Sequence, residues 1–508
     1  MLRRHTATPI LALFALIALS LSGALAQGER LVVSLSSDPT SLFLPRAADR
    51  TATNASLPLY DSLVWINDDL EIEPALATSW EISDDGTEYV FTLRQGVTFH
   101  NGEPFTAESV VATWQTGSDP SNDYANFYDV ADSVEAIDDY TVRITTPEPN
   151  ATFLTTLAIS WGMVPPAYIA EVGIDAFARD PVGTGPFRFV SRSAGDRILM
   201  EANPDYWRAG YPLVSALEFR VIPDASTRLA AVQTGEVHIA NRLTPDQAMA
   251  LERVSGVEVV SYLNDRAYYV GFKNVGAGVD TPLEDARVRQ ALNYGSDRFG
   301  IIQAIFTGQA EPIPGFVIEG NLGYDAETMP PFPYDPERAR ELLAEAGYAD
   351  GFEISMGCPA DGYVNINEVC LALQRTLAGI GVEVNVEFRT TNSFWSQPQY
   401  GAVGAMFVDS WSSTIGEALP RLDGALMPGN YYTAWEDQRF ADLIDRISVT
   451  VDRDERAALY VEMHELMRDD PPFIYLYQPT IFEAVNERVQ GYAPRAAEEY
   501  YLFMVSLD

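Results

Sequence analysis

Four histidines, 72 acidic side chains and two cysteines are the residues with which this 508-residue chain could do chemistry. His5, His100, His238 and His464 are widely scattered. His464-Glu465 has no second histidine four residues on, so it is not a zinc-protease helix. Gly183-Thr184-Gly185 lacks the third glycine and the following helix of a phosphate fingerprint, and reads as a tight turn between strands. No Gly-x-Ser-x-Gly elbow or Walker loop occurs. With so many acids, a glycosidase-like carboxylate pair carries almost no information. The sequence therefore assigns no catalytic residue, no metal ligand and no cofactor. Cys358 and Cys370 are an even pair in one short stretch. In an oxidising compartment they suggest a local disulfide, which stabilises by roughly 3 kcal/mol in the chain-entropy view. Two buried free thiols are the alternative.

Binding chemistry is better represented. Aromatic side chains make up 11% of the chain, and several sit among Ser, Thr and Asn. These are Tyr124-Ala125-Asn126-Phe127-Tyr128, Asn392-Ser393-Phe394-Trp395, Ser410-Trp411-Ser412-Ser413-Thr414 and Tyr431-Tyr432-Thr433-Ala434-Trp435. Any single one reads as core. Together they suit a pocket, whose walls are apolar and whose few polar groups are aimed. Arg389 carries the planar fork that holds a carboxylate, or forms a structural salt bridge.

Short β-rich runs alternating with amphipathic helices must position these groups. Leu31 to Leu35, Tyr89 to Arg94, Val142 to Ile144, Leu217 to Ile222, Tyr268 to Phe272, Phe352 to Met356 and Val382 to Phe388 read as strands. Asp335-Pro336 caps and starts a helix that Gly347 ends. Asp452 with Glu455 starts another, whose stripe is Leu459, Met463 and Leu466. Asp224 caps a third, stopped at Gly235 and followed by a strand from Val237 to Ala240. The fold class is mixed α/β.

Arg3, Arg4, the apolar run Ile10 to Leu21 and Ala24-Leu25-Ala26 read as a secretory signal over residues 1–26, cleaved after Ala26. The run is about 12 residues, against the roughly 20 that span a bilayer. The remaining length calls for two or more lobes. A net charge of -39 disfavours nucleic acid and anionic lipid as partners. It speaks to solubility first, although salt adaptation or a cationic ligand would fit it too.

Several blocks, in order, resemble the family 5 extracellular solute-binding proteins of ABC importers. They are Trp80 to Gly86, Tyr89 to Gly102, Pro104 to Val110, Val182 to Phe187, Asn203 to Trp207, Asp285 to Leu292, and Tyr334-Asp335-Pro336 leading to Ala346-Gly347-Tyr348. The resemblance covers essentially the whole chain after residue 26. It implies a two-lobed periplasmic-binding-protein fold of type II with a two-strand hinge. Lobe I would be 27–264 plus 480–508, with an extra subdomain at about 60–195, and lobe II 265–479. It implies no enzyme activity, but capture of a small peptide-like or other polar organic solute in the interlobe cleft. Delivery to membrane permease subunits would follow, from a periplasmic monomer. In peptide-binding relatives the stretch matching Trp411-Ser412-Ser413-Thr414 carries, three residues after the Trp, an Asp that pairs with the peptide amino terminus. Thr414 stands at that position here, and Asp409 is the acid that could substitute. Nickel is disfavoured, because no histidine lies nearby. The Cys358 and Cys370 pair also resembles a subset of the family. The expected ligand-binding set is Tyr128, Arg389, Asn392, Asp409, Trp411, Ser412, Ser413, Thr414 and Tyr431. The alternative is an extracytoplasmic hydrolase or a ligand-sensing receptor using the same cleft.

Overall fold

Strand Arg30–Leu35 buries five of its six residues, the pattern of a strand covered on both faces. Glu88–Leu93 instead alternates along its length, as a strand with one covered face must. That contrast separates the large central sheet from a smaller antiparallel one. The computed structural model describes residues 29–508, apart from Ala48, 68–70, Glu252, 361–362 and Thr414, with only the backbone of Thr391 and Asn392. The secretory segment expected over 1–26, with its cleavage point after Ala26, lies outside the described residues.

The large sheet has twelve strands. Its path runs Val382–Arg389, Phe352–Pro359, Met406–Ser412, Arg266–Phe272, Phe473–Asn486, Ile239–Leu243, Arg30–Leu35, Ala216–Val221, Arg197–Ala202, Phe187–Ser193. Phe473–Asn486 is the 14-residue strand that makes the path continuous. Its first half pairs antiparallel with Arg266–Phe272, and its second half with Val257–Leu263. The register shifts where Tyr268 and Tyr269 face it. The hydrophobic cores divide at the same place. One cluster draws only on residues between Ala267 and Tyr477. The others draw on residues before Leu251 or after Phe482. The chain therefore passes between two bodies, from one set of cores to the other between Leu251 and Ala267, and back between Tyr477 and Phe482.

A separate core from Leu63 to Met163 lies under the four-stranded sheet Ala77–Ile82, Glu88–Leu93, Thr141–Thr145, Ser133–Asp138. His100-Asn101-Gly102 forms the turn expected of it, with Gly102 at φ 89°. His100 then ties this unit to the loop Gly183-Thr184-Gly185. Its Nδ1 accepts from the Gly183 N–H at 3.2 Å, and its Nε2 meets the Gly185 carbonyl at 3.0 Å. The two glycines are there because their backbone lies against Leu59, where any Cβ would collide.

The three punctuated helices begin at the expected caps. Asp224, Asp335 and Asp452 accept from the N–H groups of Thr227, Arg338 and Glu455. The strand after Gly235 is Ile239–Leu243, starting two residues and ending three residues later than the expected one. Cys358 and Cys370 form a disulfide, joining the end of strand Phe352–Pro359 to helix Ile366–Ala378.

Candidate functional site

The second crossing strand and its neighbours bring the polar groups together. A chamber of about 420 Å³ lies between the two bodies. From the first body come Asp49, Arg50 and Thr53 at the start of helix Arg50–Ser56, with Tyr124, Phe127, Tyr128 and Arg242. The C-terminal segment adds Ala497, Glu498 and Glu499. From the second body come Asp265, Arg266, Ser412 and Ser413. A recess of about 240 Å³ opens beside it, walled by Tyr363, Trp395, Tyr400, Trp411 and Tyr432, with Asp409 and Ser410 among its lining. Arg266 and Ser412 line both spaces.

Asp265 is the knot at the first crossing. Its N–H donates to the Ala496 carbonyl at 2.9 Å, and its own carbonyl accepts from Ser413 N–H at 3.1 Å. Its Oδ1 accepts from the Asn321 amide at 3.2 Å and from Arg421, whose side chain is fully buried. Burial pushes the Asp265 carboxyl up, and the Arg421 charge pulls it back. Its Oδ2 is buried without a partner among the described residues. Glu498 holds a left-handed φ of 59°, unusual for a side chain with a Cβ. Two contacts pin it there: Asn264 Nδ2 to Oε1 at 2.6 Å and Arg242 Nε to Oε2 at 2.9 Å. Arg50 pairs with Glu499 at 3.3 Å. Arg266 donates to the Ser410 and Ser412 hydroxyls at 2.9 and 3.2 Å.

The expected site residues separate into groups. Ser412 and Ser413 line the chamber. Tyr128 also lines it, as a buried wall stacked on Trp161 at 5.2 Å, its hydroxyl donating to the Ser160 carbonyl. Trp411 walls the recess, packed on Gly424 and edge-on to Tyr432 at 5.8 Å. Asp409 is buried beneath the rings. Its Oδ1 accepts from Tyr363 at 2.9 Å and the Ser410 N–H at 2.7 Å, and its Oδ2 from Tyr400 at 2.6 Å and Trp395 at 3.1 Å. Those four donors fill the acceptor positions of a carboxylate. Burial pushes Asp409 up against their opposing effect. Arg389 lies outside both spaces and pairs with Glu387 at 3.0 Å. Tyr431 is 45% exposed and packs against Tyr432 outside both spaces. Thr414 and the Asn392 side chain lie outside the described residues. Sequence reasoning missed Arg266, Arg50, Arg242, Asp49 and the pair Glu498-Glu499. Arg266 carried one signal, its place just past the expected lobe boundary between 264 and 265. The two C-terminal acids carried none.

None of His100, His238 and His464 lines either space. Among the described residues no group of three or more His, Cys, Asp or Glu side chains is arranged to hold a metal ion. No described helix is long and apolar enough to cross a membrane.

A chamber bounded by two α/β bodies, with two strand crossings between them, defines a two-lobed solute-binding protein of the type II periplasmic kind. The chain belongs to the bacterial extracellular solute-binding proteins of family 5, whose middle-region model matches residues 71–433. It is 31% identical over 479 residues to the glutathione-binding protein GsiB of Pectobacterium atrosepticum, with 91% of each chain covered. Its fold is similar to that of HbpA2 from Haemophilus parasuis, at a TM-score of 0.86 and 27% identity over 94% of this chain and 100% of that one. The ABC transporter-associated periplasmic binding protein DppA from Helicobacter pylori, solved with the peptide STSA, matches at 0.76 and 27%, over 94% and 98%. The chain is thus a solute-binding protein of the ABC-importer class, and these relatives are binding proteins rather than enzymes.

Proposed function

We propose that this protein captures a small peptide-like solute with charges of both signs and hands it unchanged to the permease subunits of an ABC importer. The lobes are 27–264 plus 480–508 and 265–479, closing about the crossings at Asn264-Asp265 and Gln478-Pro479. It acts as a periplasmic monomer after loss of residues 1–26. The observation that carries this reading is a chamber lined from both bodies by three arginines and four carboxylates, with an aromatic recess beside it. A ligand touching both walls favours the closed arrangement because only that arrangement offers both sets of contacts. GsiB is named for glutathione and DppA was solved with a tetrapeptide, which supports a ligand of this size and polarity.

Purified protein is titrated calorimetrically with reduced glutathione and with STSA, and small-angle scattering follows its compaction. Binding with compaction, and recovery of the compound intact by mass spectrometry, is the expected result. Slow conversion of the bound compound, or no binding by any short peptide, defeats the reading. Trp411→Ala removes one wall of the recess and weakens binding about tenfold, the scale of one lost apolar wall. Unchanged affinity in the folded variant removes Trp411 from the site.

A further inference from the structure

Most of the chamber's charges are already spent on one another. Arg50 is paired with Glu499, and Arg242 with Glu498. Asp265 is paired with Arg421 from behind the wall. Two charges are left over. Arg266 has no carboxylate within ion-pair distance among the described residues; its bonding partners are the hydroxyls of Ser410 and Ser412. Asp49 has no cation partner among them either; it caps helix Arg50–Ser56 through the Ala52 N–H at 2.9 Å and accepts from the Thr40 hydroxyl at 2.9 Å.

Neutral hydroxyls orient a guanidinium without neutralising it. An arginine has five N–H donors, and the two hydroxyls engage only part of that fork. The cation is therefore positioned, held on rigid strands and only partly satisfied. It also stands where the chamber meets the aromatic recess, the one side chain besides Ser412 to line both among the described residues. Arg266 belongs to the body with strand Arg266–Phe272, and Asp49 to the body with strand Arg30–Leu35. The residual charges are opposite in sign and sit on opposite walls.

We infer that Arg266 clamps a carboxylate of the ligand and Asp49 receives its ammonium, so that a zwitterion bridges the two bodies. This rests on the peptide-like reading above. The ligand class is narrowed to amino acids and short peptides with a free carboxylate, the rest of the molecule entering the recess beside Trp395 and Trp411. Neither residue belongs to the segment around Trp411 where an amino-terminal anchor is expected by resemblance.

The test uses reduced glutathione and STSA, each as the free acid and with every carboxylate blocked, as the diethyl ester and the amide. Calorimetry on the wild type is expected to give 10- to 100-fold tighter binding of the free acids, the range of a charge-assisted hydrogen-bonded contact. Arg266→Gln removes that preference, leaving acid and blocked forms equally weak. Arg266→Lys, which keeps the charge without the fork, retains part of it and serves if the glutamine variant does not fold. Asp49→Asn weakens both forms alike and abolishes discrimination against N-acetylated STSA. A wild type that binds acid and blocked forms equally, or an Arg266→Gln variant that still prefers the acids, overturns the inference and leaves the solute-binding reading standing. A wild type that binds none of the four compounds ends the peptide-like reading and this inference with it.

Discussion

Asp265 shows how a single residue joins the two bodies. Its main chain bonds to Ala496 of the C-terminal segment and to Ser413 beside the recess, and its side chain meets Arg421 and Asn321. Arg421 also donates to the Phe316 carbonyl at 3.2 Å, and no part of its side chain reaches solvent. Taking Arg421 away leaves a carboxylate buried without its counter-charge. Arg421→Met is therefore expected to cost about 3–5 kcal/mol of stability. Urea denaturation of ligand-free protein measures it; a loss under about 1 kcal/mol means that water reaches Asp265 and the pair is not buried in solution. None of this was legible in the sequence. Asp265 sits beside Asn264 and Arg266 in a stretch with ordinary turn chemistry, while Arg421, 156 positions later, looks like any helical arginine. Asp409 taught a related lesson. Two residues before Trp411 it resembled a free ligand acid, but three of the four donors that surround it, the side chains of Tyr400, Trp395 and Tyr363, lie 9, 14 and 46 positions away and cannot be read from its neighbours.

Among the elements, caps and strands were legible because their causes are local. The stripe of helix Arg453–Asp469 was legible only in part. Met463 of the expected face is fully buried, and Leu459 and Leu466 pack partly buried against the same core, but the buried set also takes in Arg456, Tyr460, His464 and Met467. Glu417 accounts for two of these: Arg456 pairs with it at 2.7 Å and the Tyr460 hydroxyl donates to it at 2.8 Å. That buried polar contact extends the covered face beyond the leucine stripe, and a pattern rule that counts leucines cannot see it. The disulfide is an element-scale device of the opposite kind, visible from the spacing of its cysteines. It closes the loop between strand Phe352–Pro359 and helix Ile366–Ala378, both of whose cysteines are fully buried in the core of the second body. Replacing Cys358 and Cys370 by serine should cost at least about 3 kcal/mol from chain entropy, and more because two hydroxyls enter an apolar site. Denaturation midpoints of the double variant and of the wild type treated with reductant decide this. Equal midpoints for oxidised and reduced wild type would show the bridge to be absent in solution.

For the whole molecule the balance of buried ionisable groups sets the response to acid. Burial lowers His100 and His464 from 6.5 to about 4. Each stays neutral in the folded chain, whereas the unfolded chain protonates at 6.5, so stability falls as pH drops from 6.5 towards 4. Burial raises Glu483 from 4.5 to about 7, despite hydroxyl donors from Tyr492, Tyr500 and Tyr262, and raises Asp61 from 3.8 to about 6. Here the folded chain holds the proton longer, so these two contribute stability at low pH and lose it as pH rises through 6 and 7. Between about pH 4.5 and 6.5 the two effects run in opposite directions. Glu483→Gln removes one of the two acid-side contributions while keeping a carbonyl for the tyrosines to donate to. The difference in stability between variant and wild type should then move against the variant as pH falls from 7 to 4.5, by roughly 3 kcal/mol for a shift of this size. Urea midpoints at half-unit steps of pH, at constant ionic strength because a net charge of -39 makes the chain sensitive to salt, follow that divergence. Parallel curves for the two proteins would mean that Glu483 ionises at its ordinary value and that water enters the cluster of tyrosines behind the crossing.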